Sequence, residues 1–304
     1  MKYLIYILTA STIILSCDCI ENPIPESTGT LDWNLYPYDT TSNPYPWPTF
    51  TTNNNTDRNI LLEDFTGHRC VNCPAAAVNA KLLEDANPGR VFVASVHAST
   101  SGAFQAVNPP EFTMDFQTTA GTTYANEIPG FLGNPTGTIN RQDESPIFNS
   151  HWYFDNDWSN AINTQLTSAP FSANLQLEYN YFAQTNALFI HTESEFKSNL
   201  TGDYNLIIYL VRDTVIAPQE YSGSIDHHYH HHAVLSDNIN GTWGTSIVSG
   251  NATNGDIYYN DYSFQLPDPS SDSTYNINNL SLITYLCERN TFEVIQVIKT
   301  ELAP

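Results

Sequence analysis

Positive charge is scarce in this chain. Ten Lys and Arg stand against 32 Asp and Glu across 304 residues, a formal net charge of −22. Nucleic acid is thereby excluded as a partner, because phosphate binding is driven by clustered Lys and Arg. Attachment to an anionic membrane surface by charge alone is excluded for the same reason. Charged residues make up only 14% of the chain, while Asn, Thr, Ser and Tyr abound, a balance that favours strands and polar loops over long helices. No apolar run reaches 18 residues, so nothing reads as a membrane-spanning helix. A serine triad, a phosphate-binding loop and a dinucleotide fingerprint are also missing, and Cys-x-x-Cys occurs only once. Aromatics, in contrast, are plentiful, with 15 Phe, 18 Tyr and 5 Trp, which argues against disorder over most of the length. At about 150 residues per domain the chain has room for two, and its 41% apolar content can fill their cores.

The N-terminus reads as an export signal. Lys2 precedes an apolar run, Leu4 to Leu15, that is long enough for a signal-peptide core and too short to span a bilayer. Ile14-Leu15-Ser16-Cys17 follows and resembles the lipobox of bacterial lipoproteins. The resemblance implies that residues 1–16 are removed and that Cys17 is acylated as the mature N-terminus, the lipid being the membrane attachment. The alternative is ordinary cleavage with Cys17 a bystander thiol. Cys19 does not fit the pattern, because Asp18 occupies the small-residue position. Residues 17–56 read as a Pro-rich tether, with prolines at 23, 25, 37, 44, 46 and 48. Trp33, Tyr36, Tyr38, Tyr45, Trp47 and Phe50 either dock on the folded body or stand exposed on a stalk.

Residues 57–166 read as the first folded unit. Ile60 to Phe65 is a short buried strand, Ala75 to Ala86 has helical character, and Arg90 to His97 is a second buried strand. This alternation suggests a βαβ unit with a partly parallel sheet. An irregular excursion over 98–128 contains a helix near Met114 to Asn126, ended by Pro129-Gly130.

Strand, turn, Cys70-Val71-Asn72-Cys73 and helix together resemble the thioredoxin fold. Asp64-Phe65 matches the Asp-Phe of the strand leading to that family's cysteines. The resemblance implies that Asp64 is buried beneath the cysteines and assists proton transfer from the resolving thiol. Asn134-Pro135-Thr136 resembles the family's cis-proline and threonine, which implies that Pro135 faces the cysteines and the substrate. No Trp precedes Cys70, and Val-Asn stands where Gly-Pro is usual. Glu63-Asp64-Phe65-Thr66-Gly67 with Cys70-x-Asn72-Cys73-Pro74 is similar to the outer-membrane-protein-28 family of envelope lipoproteins. That resemblance implies a thioredoxin-like domain joined to a β-rich region, exported to the outer membrane and facing either the periplasm or the surface.

Chemistry at the cysteines also follows from position. Cys70 at a helix N-terminus gains thiolate stabilisation from free N–H groups and the macrodipole, with Arg69 and a protonated His68 as neighbouring cations. Cys73, one turn on, is placed to resolve a mixed disulfide. A permanent structural disulfide and half of a zinc site are the alternatives, the second lacking two further ligands at fixed spacing. His97 reads as a satisfied strand-end histidine.

Residues 167–304 read as an all-β antiparallel sandwich. Ala173 to Tyr181 alternates with period two, Leu206 to Val211 is continuously apolar, and Leu280 to Cys287 with Phe292 to Ile298 forms a closing hairpin. Cys287 reads as a buried inert thiol. In the run from His227 to His232, a strand would place His228, His230 and His232 on one face, a spacing that can chelate Zn or Cu. Solvated or aromatic-stacked histidines in a packing role are the preferred reading, beside Gly241-Thr242-Trp243-Gly244. The expectation is thus an α/β thioredoxin-like domain followed by a β-sandwich that docks partners. Thiol–disulfide exchange with envelope or secreted protein thiols is expected, with no cofactor beyond the Cys70–Cys73 pair. A non-enzymatic adhesion or assembly protein built on a structural disulfide is the rival.

Overall fold

The computed structural model describes residues 31–145 and 150–304; Cys17, Cys19 and the signal-like run lie outside them. The first half of the chain runs β1 (Ile60–Thr66), α1 (Cys73–Ala86), β2 (Val91–His97), α2 (Thr119–Glu127), β3 (Thr136–Ile139), β4 (Trp152–Tyr153) and α3 (Asp155–Ser168). β1 is buried along its whole length because it has a neighbour on every side. It pairs parallel with β2 and antiparallel with β3, and β3 pairs antiparallel with β4. α1 is the crossover that a parallel pair requires. α2 starts at Thr119, later than the expected Met114, where the Thr118 hydroxyl accepts from the Gly121 N–H and caps the helix. α3 is a helix that the polar run of residues 155–168 did not announce. Its Trp158 and Ile162 are buried, and a Cβ at Gly137 in β3 would lie 2.7 Å from the Trp158 ring.

The second half is strands: β5 (Ala173–Phe182), β6 (Ala187–Phe196), β7 (Leu200–Thr201), β8 (Tyr204–Tyr221), β9 (Ser224–Asn238), β10 (Thr245–Val248), β11 (Asn251–Ala252), β12 (Ile257–Gln265), β13 (Leu280–Glu288) and β14 (Val294–Glu301). β12, β6 and β5 form one antiparallel sheet. β14, β13, β8 and β9 form another, which continues through β2, β1 and β3 to β4, so a single sheet crosses the expected boundary near residue 166.

The apolar run in β8 follows from this layering. Ile207, Tyr209 and Val211 face the core shared with β1 and β2, whereas Leu206, Ile208 and Leu210 face Leu175, Leu188 and Ile190 of the three-stranded sheet. A strand buried on both faces loses the period-two alternation. Gly244 shows how tightly the next loop lies on it: its φ is +67°, and a Cβ there would collide with the Leu206 carbonyl oxygen. Trp243 beside it is a packing residue. Its ring lies 3.9 Å beneath the Arg289 guanidinium, and its indole N–H donates to Glu127 at 3.0 Å.

Within the expected tether, residues 31–56 are laid against the β5–β6–β12 sheet. Tyr36 and Tyr45 are buried with Phe182 and Phe189, the Asp32 N–H donates to the Ser263 hydroxyl, and the Asn53 side chain donates to the Leu175 carbonyl. Of the two readings of those aromatics, docking is the one observed.

Candidate functional site around the Cys70–Cys73 disulfide

β1 delivers the chain through Gly67-His68-Arg69 into a tight turn, where the Cys70 N–H donates to the Gly67 carbonyl and the Cys73 N–H to the Cys70 carbonyl. Cys70 and Cys73 are joined in a disulfide with their Cα atoms 5.4 Å apart, within the ordinary span of such a bond. Two details correct the sequence expectation. The helix begins at Cys73, so Cys70 occupies the turn before it. Cys70 is also not exposed: it is 2% accessible and Cys73 1%.

The covering element is the distal half of the β8–β9 hairpin. Gln219 donates from Nε2 to the Cys70 carbonyl at 3.1 Å, and the Glu220 N–H donates to the His68 carbonyl at 2.8 Å. Gln219 and its neighbours carried no legible signal, because a lone Gln beside Pro218 reads as an ordinary surface residue.

Asp64 is where the family resemblance implied, fully buried in β1. Neither carboxylate oxygen has a hydrogen-bond partner among the described residues, and burial, helped by the negative charge of Asp155, pushes its carboxyl up to about 8. The register of β1 decides which side it faces. Asp64 and Thr66 line a cavity of about 350 Å³ that also touches Cys73, while Glu63 points through the sheet to the opposite layer.

His97, paired with Thr66, ends β2 on the same wall; its Nδ1 has no partner among the described residues, so it is not the satisfied histidine expected. Burial, then His231 and His68, hold it well below the ordinary imidazole range. The Asn134–Pro135 bond is cis, and Pro135 directly precedes Thr136, which pairs with Phe65. Asn134 is held by the Gln105 side chain, which also donates to the Thr66 carbonyl at 2.6 Å. Arg69 is half-buried, and its backbone N–H donates to the Phe104 carbonyl.

The histidine run sits on β9, opposite Thr214 to Ala217 of β8. Its register shifts between Tyr229 and Asp226, a bulge facing Pro218, which has no N–H to offer a ladder. The bulge removes His228 from the alternation that would align it with His230 and His232. His230 and His232 are exposed with ring centres 6.2 Å apart, and no group of three His, Cys, Asp or Glu among the described residues is arranged to hold a metal. The buried member is His231, whose ring packs between Tyr229 and Phe116 and lines the cavity. Burial, then His68, lowers it to about 4. Cys287 is buried and bonded to no other cysteine among the described residues, its thiol pushed up to about 12 chiefly by burial.

The body is mostly β and carries a buried disulfide, and the family its sequence matches is one of the cell envelope. The chain belongs to a known family of that class: the family model described as Outer membrane protein Omp28 matches residues 123–304. With the lipobox-like run at Cys17, it is an exported outer-membrane lipoprotein. The matched span begins inside α2, downstream of Cys70 and Cys73. No curated protein matches the chain. Among solved structures, HBP35 of Porphyromonas gingivalis is similar with a TM-score of 0.57 at 15% identity, covering 82% of this chain and 76% of that one. A domain of the outer membrane lipoprotein Omp28 from Porphyromonas gingivalis is 20% identical, with a TM-score of 0.31, over 45% of this chain and 93% of that one.

Proposed function

We propose that this lipoprotein performs thiol–disulfide exchange in the cell envelope through Cys70 and Cys73, within a thioredoxin-like unit. The sheet order β2–β1–β3–β4, with β1 and β2 parallel and β3 and β4 antiparallel, supports that fold assignment. One observation carries the chemical reading: the disulfide at the start of α1 shares a cavity with a fully buried, unpartnered Asp64. With its carboxyl raised to about 8, Asp64 is ionised in a minor fraction of molecules near neutral pH, and in that form it can take the proton of Cys73 as that thiol ionises and return it afterwards.

An envelope protein's dithiol, itself oxidised to a disulfide, reduces the Cys70–Cys73 bond to two thiols. Cys70 attacks a partner disulfide, and Cys73 then displaces the partner from the mixed disulfide, so two electrons pass to the partner and the protein disulfide re-forms. The strands beyond β4 serve as the partner-docking region, and the partners are envelope or secreted protein thiols.

The burial of both sulfurs beneath Gln219 favours a second reading, in which the disulfide is structural and the protein is a non-enzymatic adhesion or assembly factor. Trapping separates the two. Expressed in an oxidising envelope, a Cys73→Ser variant should accumulate mixed disulfides at Cys70, seen by non-reducing electrophoresis and mass spectrometry. A Cys70→Ser variant should accumulate few. No adduct in either variant, together with a reduction potential below about −300 mV, selects the structural reading.

A further inference from the structure

We propose that the cavity between α1 and β9 is a binding site for a neutral, mainly apolar small molecule carrying a hydroxyl or carbonyl head. The cavity exists because β2 and β9 pair through a single bridge, Ser95 with Val234, and part beyond it. Between them and α1 lies a volume of about 350 Å³, within the range of small-ligand sites. Its mouth is apolar and open: Val78 and Leu82 of α1 are 58% and 62% exposed at the rim, where a surface helix would ordinarily carry polar side chains.

Its inner wall is polar and unsatisfied. Both Asp64 oxygens, His97 Nδ1 and His231 Nε2 are buried and lack hydrogen-bond partners among the described residues, and all three side chains line the cavity. Leaving such atoms unpaired is costly, and four of them on one cavity wall form a ready hydrogen-bonding pocket for a bound head group.

The electrostatics select the ligand. With Asp64 protonated and both histidines neutral near pH 7, the inner wall carries no charge, and the charged lining residues are Lys81 and Glu84 of α1, opposite in sign, with Lys81 already paired with Asp85. A protonated Asp64 donates, and a neutral His231 held by the backbone at Ala217 and Pro218 presents Nε2 as an acceptor. A hydroxyl can satisfy both, with an apolar body filling the mouth. This site goes beyond thiol exchange and does not require it.

Three probes with one apolar body and different heads test the idea on the oxidised mature protein at pH 6.5: 2-naphthol, naphthalene and 2-naphthoate. Fluorescence titration should show saturable 2-naphthol binding at least about tenfold tighter than either comparator, the loss expected for one hydrogen bond in a closed site. Asp64→Leu and His231→Leu should each weaken 2-naphthol about tenfold and leave naphthalene unchanged. Leu82→Asp, at a rim position that is 62% exposed, should weaken both neutral probes. Equal affinity for all three probes, binding indifferent to the three substitutions, or no saturable binding would overturn the proposal. None of these outcomes depends on mixed-disulfide trapping, so this site and the exchange reading fail separately.

Discussion

A carboxyl group taken from water into the wall behind Cys73 meets no donor among the described residues that stabilises its charge, so Asp64 keeps its proton in the folded protein up to about pH 8. In the unfolded chain it gives that proton up near pH 4. Between those values the folded state binds more protons than the unfolded state. The contribution of Asp64 to stability is therefore fully present below about pH 4 and is lost as pH rises through about 8, with a limiting slope near 1.4 kcal/mol per pH unit. Asp64→Asn has no proton to lose. Urea unfolding from pH 5 to 9 should show the wild type losing stability relative to Asp64→Asn, with a gap of about 2–5 kcal/mol at pH 8. Parallel curves would mean that Asp64 is solvated. Asp64 could be found in the sequence only through its resemblance to a family pattern. His231 could not, because nothing in a run of five histidines and a tyrosine says which one turns inward.

The β8–β9 hairpin is the element that sets access to the disulfide. Its central part was legible, since Leu206 to Val211 is apolar on both faces. Its distal part was not: Thr214 to Tyr221 mixes one Pro, exposed Ile216 and buried Val215, a pattern that neither period describes. β1, α1, β2 and the β13–β14 hairpin were legible to within two or three residues. α3 was missed because its buried residues are spaced among Asp, Asn, Thr and Ser, a composition that reads as loop. The covering contact is testable at the level of this element. Gln219→Ala removes the side-chain donor to the Cys70 carbonyl and leaves the Glu220 backbone bond in place. Reduction of the Cys70–Cys73 bond by dithiothreitol, followed by alkylation and mass spectrometry, should run several-fold faster in that variant. An unchanged rate would show that the hairpin opens by another hinge, or that the disulfide is reached from the cavity side.

Across the whole molecule the two halves meet at a buried ion pair of the first half, to which Tyr209 and Tyr285 of the second half hydrogen-bond. Glu63 of β1 and Arg141 just after β3 meet at 2.7 Å through two parallel N–H···O contacts, with both side chains fully buried. Tyr209 of β8 donates to Glu63 at 2.8 Å, Thr138 donates to its other oxygen, and Arg141 donates to the Tyr209 and Tyr285 hydroxyls. The guanidinium also lies 4.2 Å from the centre of the Tyr124 ring of α2. Burial alone would raise the Glu63 carboxyl, but the charge and hydrogen bonds of Arg141 outweigh it and hold it below the ordinary range.

Glu63 and Asp64 are adjacent carboxylates in one strand that behave oppositely, because the pleat sends one to a cation and the other to a cavity. The sequence does not reveal which is which, since Arg141 lies 78 positions downstream. Removing one partner strands the other's charge in the interior, so Glu63→Gln should destabilise the protein by about 3–5 kcal/mol. Replacing both, Glu63→Leu with Arg141→Met, removes the charges together and should cost less than the single change, the tyrosine hydroxyls then bonding to one another as Tyr285 and Tyr209 already do at 2.7 Å. Denaturant titration of the three proteins decides it. If the double variant is the least stable, the pair contributes net stability to the junction. If it recovers most of the loss, the pair serves to fix how β8 and β13 seat on β1, and a more apolar junction can hold the halves as well.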